Sequence, residues 1–470
     1  MATIVSEPSS NRVFQRSASS GGLFDKGQGS AEFNITTAAA LLEYRIVDAS
    51  SQVAVGPWVS AGAGGVFTVA VPANNQWYLL ELREDGGSNS YTNNRFGAGG
   101  ITLMYGQSLA LRLFVNVNNP LNSLAALGIT PSDFAVMFGT YANDDPPDVT
   151  VPAWLNVADS TAFDSAFVQF LNDKVTREGV LWCLAGHAYG SAIIQNFLST
   201  GSQWSSVTQI IDGIGDTWEE FFWFQGHSNA DLGNETTQAA YEAFLDTLFS
   251  DINGYASFSG YPIYMITICN LDGIGALLDV DAIRKAGNNW CGLNGATYIQ
   301  PHDIDLVDPV HQSNPGSVSF ARHLFRAQYS RYWGPRLVGV ERVGASITLQ
   351  FQFTGGGNLF AAAGSALNLF DVSLLSDEFT LLTKSSVTIN ATTVDIELAA
   401  DPGTDELRFW VAENNTLDGS DYIADNYTAD GFTRGRLALP SLGEIAQVQS
   451  LKNFSIGRSM HRSIGYSLNR

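Results

Sequence analysis

Between residues 101 and 299 the chain carries five short, almost continuously apolar runs. They are 101–105 (Ile-Thr-Leu-Met-Tyr), 180–185 (Val-Leu-Trp-Cys-Leu-Ala), 221–224 (Phe-Phe-Trp-Phe), 263–268 (Ile-Tyr-Met-Ile-Thr-Ile) and 296–299 (Ala-Thr-Tyr-Ile). A strand with one wet face alternates polar and apolar residues, whereas a run that is apolar throughout must be covered on both sides. Helical spacing separates the runs, at 161–175, 192–198, 235–249 and 317–329. In 235–249, Ala239, Ala243, Leu245 and Leu248 fall close to the i, i+3, i+4 rule. Doubly covered strands alternating with helices define an α/β domain built on a parallel, doubly wound sheet. Ligands of such sheets bind beyond the carboxyl ends of the strands.

The flanks have a different period. From 29 to 98, short alternating segments at 42–47, 66–71 and 77–82 are separated by turn residues at 48–51, 62–65, 72–75 and 85–87, the pattern of a small β-sandwich. Trp58 and Trp77 there suit either a sugar-stacking platform or the core, and core is the commoner use. Strand period returns at 331–441, through 338–340, 347–353, 387–389, 394–398 and 407–411, and predicts a second β-sandwich-like domain. The α/β domain thus spans 99–330. Residues 1–28 read as a polar arm, free or ordered by a partner, and 442–470 as a tail carrying Lys452, Arg458, Arg462 and Arg470.

With 24 basic residues against 46 acidic ones, the formal net charge is −22. That disfavours nucleic acid and anionic membrane surfaces as main partners, since both require basic patches. No run approaches the roughly 20 apolar residues of a membrane span, and the first thirty residues lack the apolar core of a signal peptide. The expectation is a soluble protein without a recognisable export signal. Cys183, Cys269 and Cys291 form neither an even disulfide framework nor a metal-ligand spacing, and read as small buried hydrophobes.

Gly106-Gln-Ser108 ends the first apolar run, so Ser108 stands where a parallel sheet presents a nucleophile. A serine nucleophile needs a base, and the chain has six histidines. His461 lies in the tail and His323 inside a helix. His187 follows a strand in Ala185-Gly-His-Ala-Tyr-Gly190, where an oxyanion-binding turn is as good a reading as a base. His302 follows the last strand. His311 lies in Asp308-Pro-Val-His311, an irregular loop before the helix at 317. There a carboxylate three residues earlier can hold one ring nitrogen while the other faces the site.

Gly106-Gln-Ser108, Tyr189-Gly190-Ser191, Trp223-Phe-Gln225-Gly-His227-Ser-Asn229-Ala and Asp308-Pro-Val-His311 occur in the order of the blocks of SGNH hydrolases. The set more closely resembles the sialate O-acetylesterase-like carbohydrate esterases. Phe96-Gly-Ala-Gly-Gly100 and Trp333-Gly-Pro335 agree with that resemblance, which covers roughly 30–440. It implies a flavodoxin-like three-layer domain, with Ser108 as nucleophile, His311 as general base and Asp308 as its orienting carboxylate. It also implies oxyanion donors at the N–H groups of Ser108 and Gly190 and on the side chain of Gln225, with Asn229 as the alternative. Gln107 and His227 are expected to line the substrate, and no metal or organic cofactor is implied. The expected activity is removal of O-acetyl groups from a glycan or polysaccharide. The alternative is a glycan-binding virion fibre or spike protein on a weakened esterase scaffold, with arm 1–28 making virion or homo-oligomer contacts. Two positions depart from the family. Leu109 stands where it usually carries Asn, so a bond bracing the nucleophile turn is missing or comes from elsewhere. His227 replaces a carboxylate.

Overall fold

A computed structural model describes residues 2–18, 23–114, 124–142, 149–159, 166–231, 233–234, 236–266, 277–299 and 311–329. Beyond these it describes 336–352, 359–361, 367–371, 380–381, 383–401, 406–411, 423–425 and 444–447. Cys269, His302, Asp308 and His461 lie outside the described residues.

The N-terminal strands are β1 (Thr3–Ser6), β2 (Arg12–Gln15), β3 (Gln28–Thr36), β4 (Leu42–Asp48), β5 (Val59–Gly62), β6 (Gly64–Pro72), β7 (Tyr78–Glu84) and β8 (Asn89–Tyr91). β1, β3 and β6 form one antiparallel sheet, and β3 shows why: Ala31, Phe33 and Ile35 point inward while Ser30, Glu32 and Thr36 are exposed. β4, β5, β7 and β8 belong to a second sheet, which β9 (Phe96–Gly106) continues into the α/β domain. β9 pairs with β2 and β7 at its start and with α/β strands further on, and it is buried along its whole length. The expected domain boundary at 98/99 therefore falls inside one strand. Region 1–28 likewise holds more than a free arm. β1 adds to β3, β2 runs parallel to β9, and Arg16 pairs with Glu178 at 3.0 Å and with Glu219 at 2.6 Å. Trp77 is core, its indole N–H donating to the Asp133 carbonyl at 2.9 Å.

The α/β region runs β9, α1 (Ser108–Phe114), β10 (Ala135–Ala142), β11 (Val149–Asn156), α2 (Val168–Glu178), β12 (Leu181–Tyr189), α3 (Trp204–Ile214), β13 (Glu220–Phe224), α4 (His227–Ala230), α5 (Gln238–Ala256), β14 (Ile263–Ile266), α6 (Leu277–Asn294), β15 (Thr297–Ile299) and α7 (Asn314–Tyr329). The sheet order is β11-β10-β12-β9-β13-β14-β15, parallel except for the edge strand β11. All five predicted parallel strands are present. Numbered along the chain, the six parallel strands β9, β10, β12, β13, β14 and β15 lie in the order 2-3-1-4-5-6 across the sheet, so the chain builds first on one side of β9 and then on the other.

Alternate β9 side chains feed two cores. Met104 joins Phe222, Trp182, Leu109 of α1, Phe170 of α2 and Phe320 of α7. Leu103 and Tyr105 join Phe221, Trp223, Val207 of α3, Leu245 of α5 and Ile283 of α6. The three layers follow from that division. β10, β11, α1, α3 and α6 are additional to the sequence reading, and segment 192–198 holds only one 3-10 turn, Ile194–Phe197. In the C-terminal region Arg336–Val343, Ser346–Gln352, Thr393–Leu398 and Lys384–Ile389 make one antiparallel sheet in that order. A second sheet includes Glu444–Gln447, a strand within the expected tail.

A charge cluster is sealed at the amino end of the parallel strands. Lys174 Nζ donates to Glu220 at 3.0 Å and to Gln328 Oε1 at 2.9 Å, while Gln328 Nε2 donates to the same Glu220 oxygen at 2.9 Å. The other carboxylate oxygen accepts from Thr102 at 2.6 Å, and Thr102 accepts the Trp182 indole N–H at 2.9 Å. Lys174 and Glu220 are both buried, and the ammonium also lies 4.0 Å from the centre of the Trp182 ring. Replacing Lys174 by Met strands the Glu220 carboxylate, and the expected loss is about 3–5 kcal/mol of stability in urea unfolding.

Candidate active site

The site is set by one row of the sheet. Gly106 on β9 is level with Ala188 on β12 and with Phe224 on β13. Gly190, Ser108 and Gln225 therefore leave neighbouring strands at one edge, where the strand order reverses around β9. Gly106 is required by close approach: a Cβ there would lie 2.1 Å from the Phe224 carbonyl oxygen. Gln107 N–H donates to that same carbonyl at 3.0 Å, and α1 begins at the next residue.

Ser108 and His311 meet across 203 positions of sequence, with Ser108 Oγ 2.9 Å from His311 Nε2. Both are partly exposed. The loop bearing His311 is pinned by the start of α7, where Ser313 Oγ accepts from Gly316 N–H at 3.1 Å and Pro315 occupies a position that has no helical N–H bond to lose. Asn314 Oδ1 accepts from Ala166 N–H at 3.0 Å. Gln312, a residue absent from the sequence reading, is buried, and its Nε2 donates to the Leu109 carbonyl at 2.8 Å. Leu109 itself has its side chain fully buried in the core, and the bond at this turn is made to its backbone carbonyl.

Three residues expected to meet the substrate or its oxyanion are instead engaged by the protein. Gln107 Oε1 accepts from Gly226 N–H at 3.1 Å and from Ser228 N–H at 3.2 Å, so that oxygen braces the turn after β13 and is closed to substrate. Gln225 is fully buried, and its Nε2 donates to the Ala192 carbonyl at 3.1 Å and to Asn229 Oδ1 at 2.6 Å. Those bonds use both amide hydrogens, which removes Gln225 as an oxyanion donor. Its Oε1 accepts from Tyr241 at 2.6 Å. Asn229, also fully buried, donates to Gln195 Oε1 at 3.1 Å and Thr236 Oγ1 at 3.0 Å, and accepts from Ile194 N–H at 2.9 Å. Both amides thus hold Ala192 and Ile194, just after the Gly190 turn. Ser191 completes that turn with φ of 55°, a left-handed backbone that a non-glycine residue holds only when its surroundings impose it.

His187 is structural. It is buried, with Nδ1 2.8 Å from Thr140 Oγ1 and Nε2 3.0 Å from Gln203 Oε1, and burial lowers its pKa. Gln203 Oε1 can only accept, so Nε2 carries the proton and Nδ1 accepts from Thr140. Cys183 and Cys291 are buried free thiols, raised in pKa by burial. Among the described residues no three His, Cys, Asp or Glu side chains are grouped to hold a metal ion.

No protein-family sequence model matches the chain, and no curated protein sequence does. Solved structures do. A carbohydrate acetylesterase from Xanthomonas citri superposes with a TM-score of 0.60 at 14% identity, over 94% of this chain and 99% of that one. A carbohydrate acetylesterase from Sinorhizobium meliloti matches 49% of this chain and 99% of its own length, with a TM-score of 0.31 at 9% identity. A tail fibre protein of an E. coli phage matches 66% of this chain and 34% of its own, with a TM-score of 0.32 at 9% identity. The chain shares the fold of that Xanthomonas citri carbohydrate acetylesterase.

His227 opens α4 between the two N–H groups that grip Gln107. It is buried, and neither ring nitrogen has a hydrogen-bond partner among the described residues. Burial, and then the positive charges of His311 and Arg284, lower its pKa to about 3. The unfolded chain takes up this proton near pH 6.5, so between about 3 and 6.5 the unfolded state binds more protons and stability rises with pH. The contribution is complete above about pH 6.5 and is lost as pH falls toward 3. His227→Phe is expected to flatten that part of the pH dependence of the urea midpoint; an unchanged slope would show that the group does not titrate in this way.

Proposed function

We propose that the chain is a serine carbohydrate esterase that removes O-acetyl groups from a glycan. The observation that carries this reading is the 2.9 Å contact between Ser108 Oγ and His311 Nε2 at the switch point of the sheet. Support for the substrate class comes from the fold shared with the Xanthomonas citri carbohydrate acetylesterase.

Ser108 Oγ attacks the acetyl carbonyl carbon while His311 Nε2 takes the hydroxyl proton. The carbonyl electron pair moves to oxygen and returns as the bond to the sugar oxygen breaks, and His311 gives its proton to that oxygen. Water repeats the cycle on the acetyl-serine and releases acetate. Asp308, three residues before His311, is assigned the role of holding the imidazolium. With the Gln225 and Asn229 side chains engaged elsewhere, the oxyanion role falls to the backbone N–H groups of Ser108 and Gly190. Preorganised donors of that kind act on charge that appears only in the transition state.

Ser108→Ala is expected to lower hydrolysis of p-nitrophenyl acetate and of an acetylated polysaccharide by about a thousandfold or more. Undiminished acetate release by that variant would sink the assignment. Glycan retention by a wild-type protein that releases no acetate would instead favour a binding role for the scaffold.

A further inference from the structure

Nucleophile and base are joined at two adjacent points. Residues 108 and 311 meet through Ser108 Oγ and His311 Nε2 at 2.9 Å. The next pair, 109 and 312, meets through the Leu109 carbonyl, which accepts from Gln312 Nε2 at 2.8 Å. One hydrogen bond between a helix start and a loop leaves the two free to swing about it. A second bond one residue along in both segments removes that freedom.

Folding stability does not account for Gln312. The side chain is buried, and its Oε1 has no hydrogen-bond partner among the described residues and no contact with solvent. A buried amide with an unmet oxygen is a net cost relative to an apolar side chain of equal length. Leu109 has an apolar, fully buried side chain and cannot brace its own turn, so the bond to its backbone comes from Gln312.

We propose that Gln312 is a positioning residue that fixes the His311 loop against the first turn of α1, so that Nε2 stays aligned with Ser108 Oγ through proton transfer. This rests on the reading of Ser108 as nucleophile and His311 as base. Alignment matters because a displacement of about 1 Å at reacting groups can change rates about a hundredfold.

Gln312→Met keeps the length of the side chain while removing both the donor and the unmet oxygen. Its kcat on p-nitrophenyl acetate is expected to fall about tenfold to a hundredfold, with KM within about twofold of wild type. Labelling of Ser108 by a serine-directed phosphonate is expected to slow by the same factor, while the melting temperature stays unchanged or rises. Gln312→Glu, which sets a carboxylate against the Leu109 carbonyl, is expected to lose at least as much activity. Unchanged kcat in Gln312→Met overturns the proposal. A variant that melts earlier or fails to fold overturns it too, because the bond would then be an ordinary structural one. Failure of the underlying reading looks different: wild-type protein would not label at Ser108, or Ser108→Ala would remain active.

Discussion

The contact on which the rest of the site depends is the approach of the Phe224 carbonyl to the α-carbon of Gly106. No side chain fits there, so β9 and β13 close together at their carboxyl ends, and the same carbonyl accepts the Gln107 N–H. The chain must turn at that point because the next backbone groups have left the ladder. Ser108 becomes the first residue of α1, and its hydroxyl stands above the sheet edge instead of within it. Gly106 is therefore best understood as the residue that decides where β9 ends.

The opposite end of the same strands is held by chemistry of another kind. Lys174, Glu220, Thr102, Trp182 and Gln328 form a buried, largely satisfied charge network joining β9, β12, β13, α2 and α7. Such a network adds little net stability over an apolar core but penalises any slip that breaks one partner from another. Its strands are those that carry Ser108, Gly190 and Gln225, and α7 follows directly from the His311 loop. Registry fixed at the amino ends is thereby transmitted along stiff strands to the carboxyl edge.

Much of this was legible in the sequence, for reasons tied to particular residues. Doubly buried strands announce themselves as unbroken apolar runs, which is why 101–105, 180–185 and 221–224 fall within β9, β12 and β13. The Ser108 and His311 pairing follows from block order, although only the fold brings them to 2.9 Å. β10 escaped because Gly139, Thr140 and Tyr141 interrupt its apolar pattern, and the start of α1 because seven residues are too few to show a helical period. The roles of Gln225 and Asn229 could not be read at all. An amide is donor and acceptor at once, and only its neighbours decide whether it faces solvent, substrate or backbone. Gln312 gave no signal for the same reason.

The machinery around Ser108 is braced mainly by neutral amides. Gln107 grips the β13 turn, Gln225 and Asn229 hold the segment after Gly190, and Gln312 ties the His311 loop to α1. An amide offers directional bonds without a net charge. At low local dielectric that distinction is large, because a charge a few ångströms from His311 would shift its proton affinity, whereas a hydrogen-bonded amide acts mainly through geometry. His227 extends the pattern, since it is an imidazole kept neutral by burial between the two N–H groups that hold Gln107. Bracing is thus assigned to neutral groups, and the amides determine where Ser108 and His311 stand.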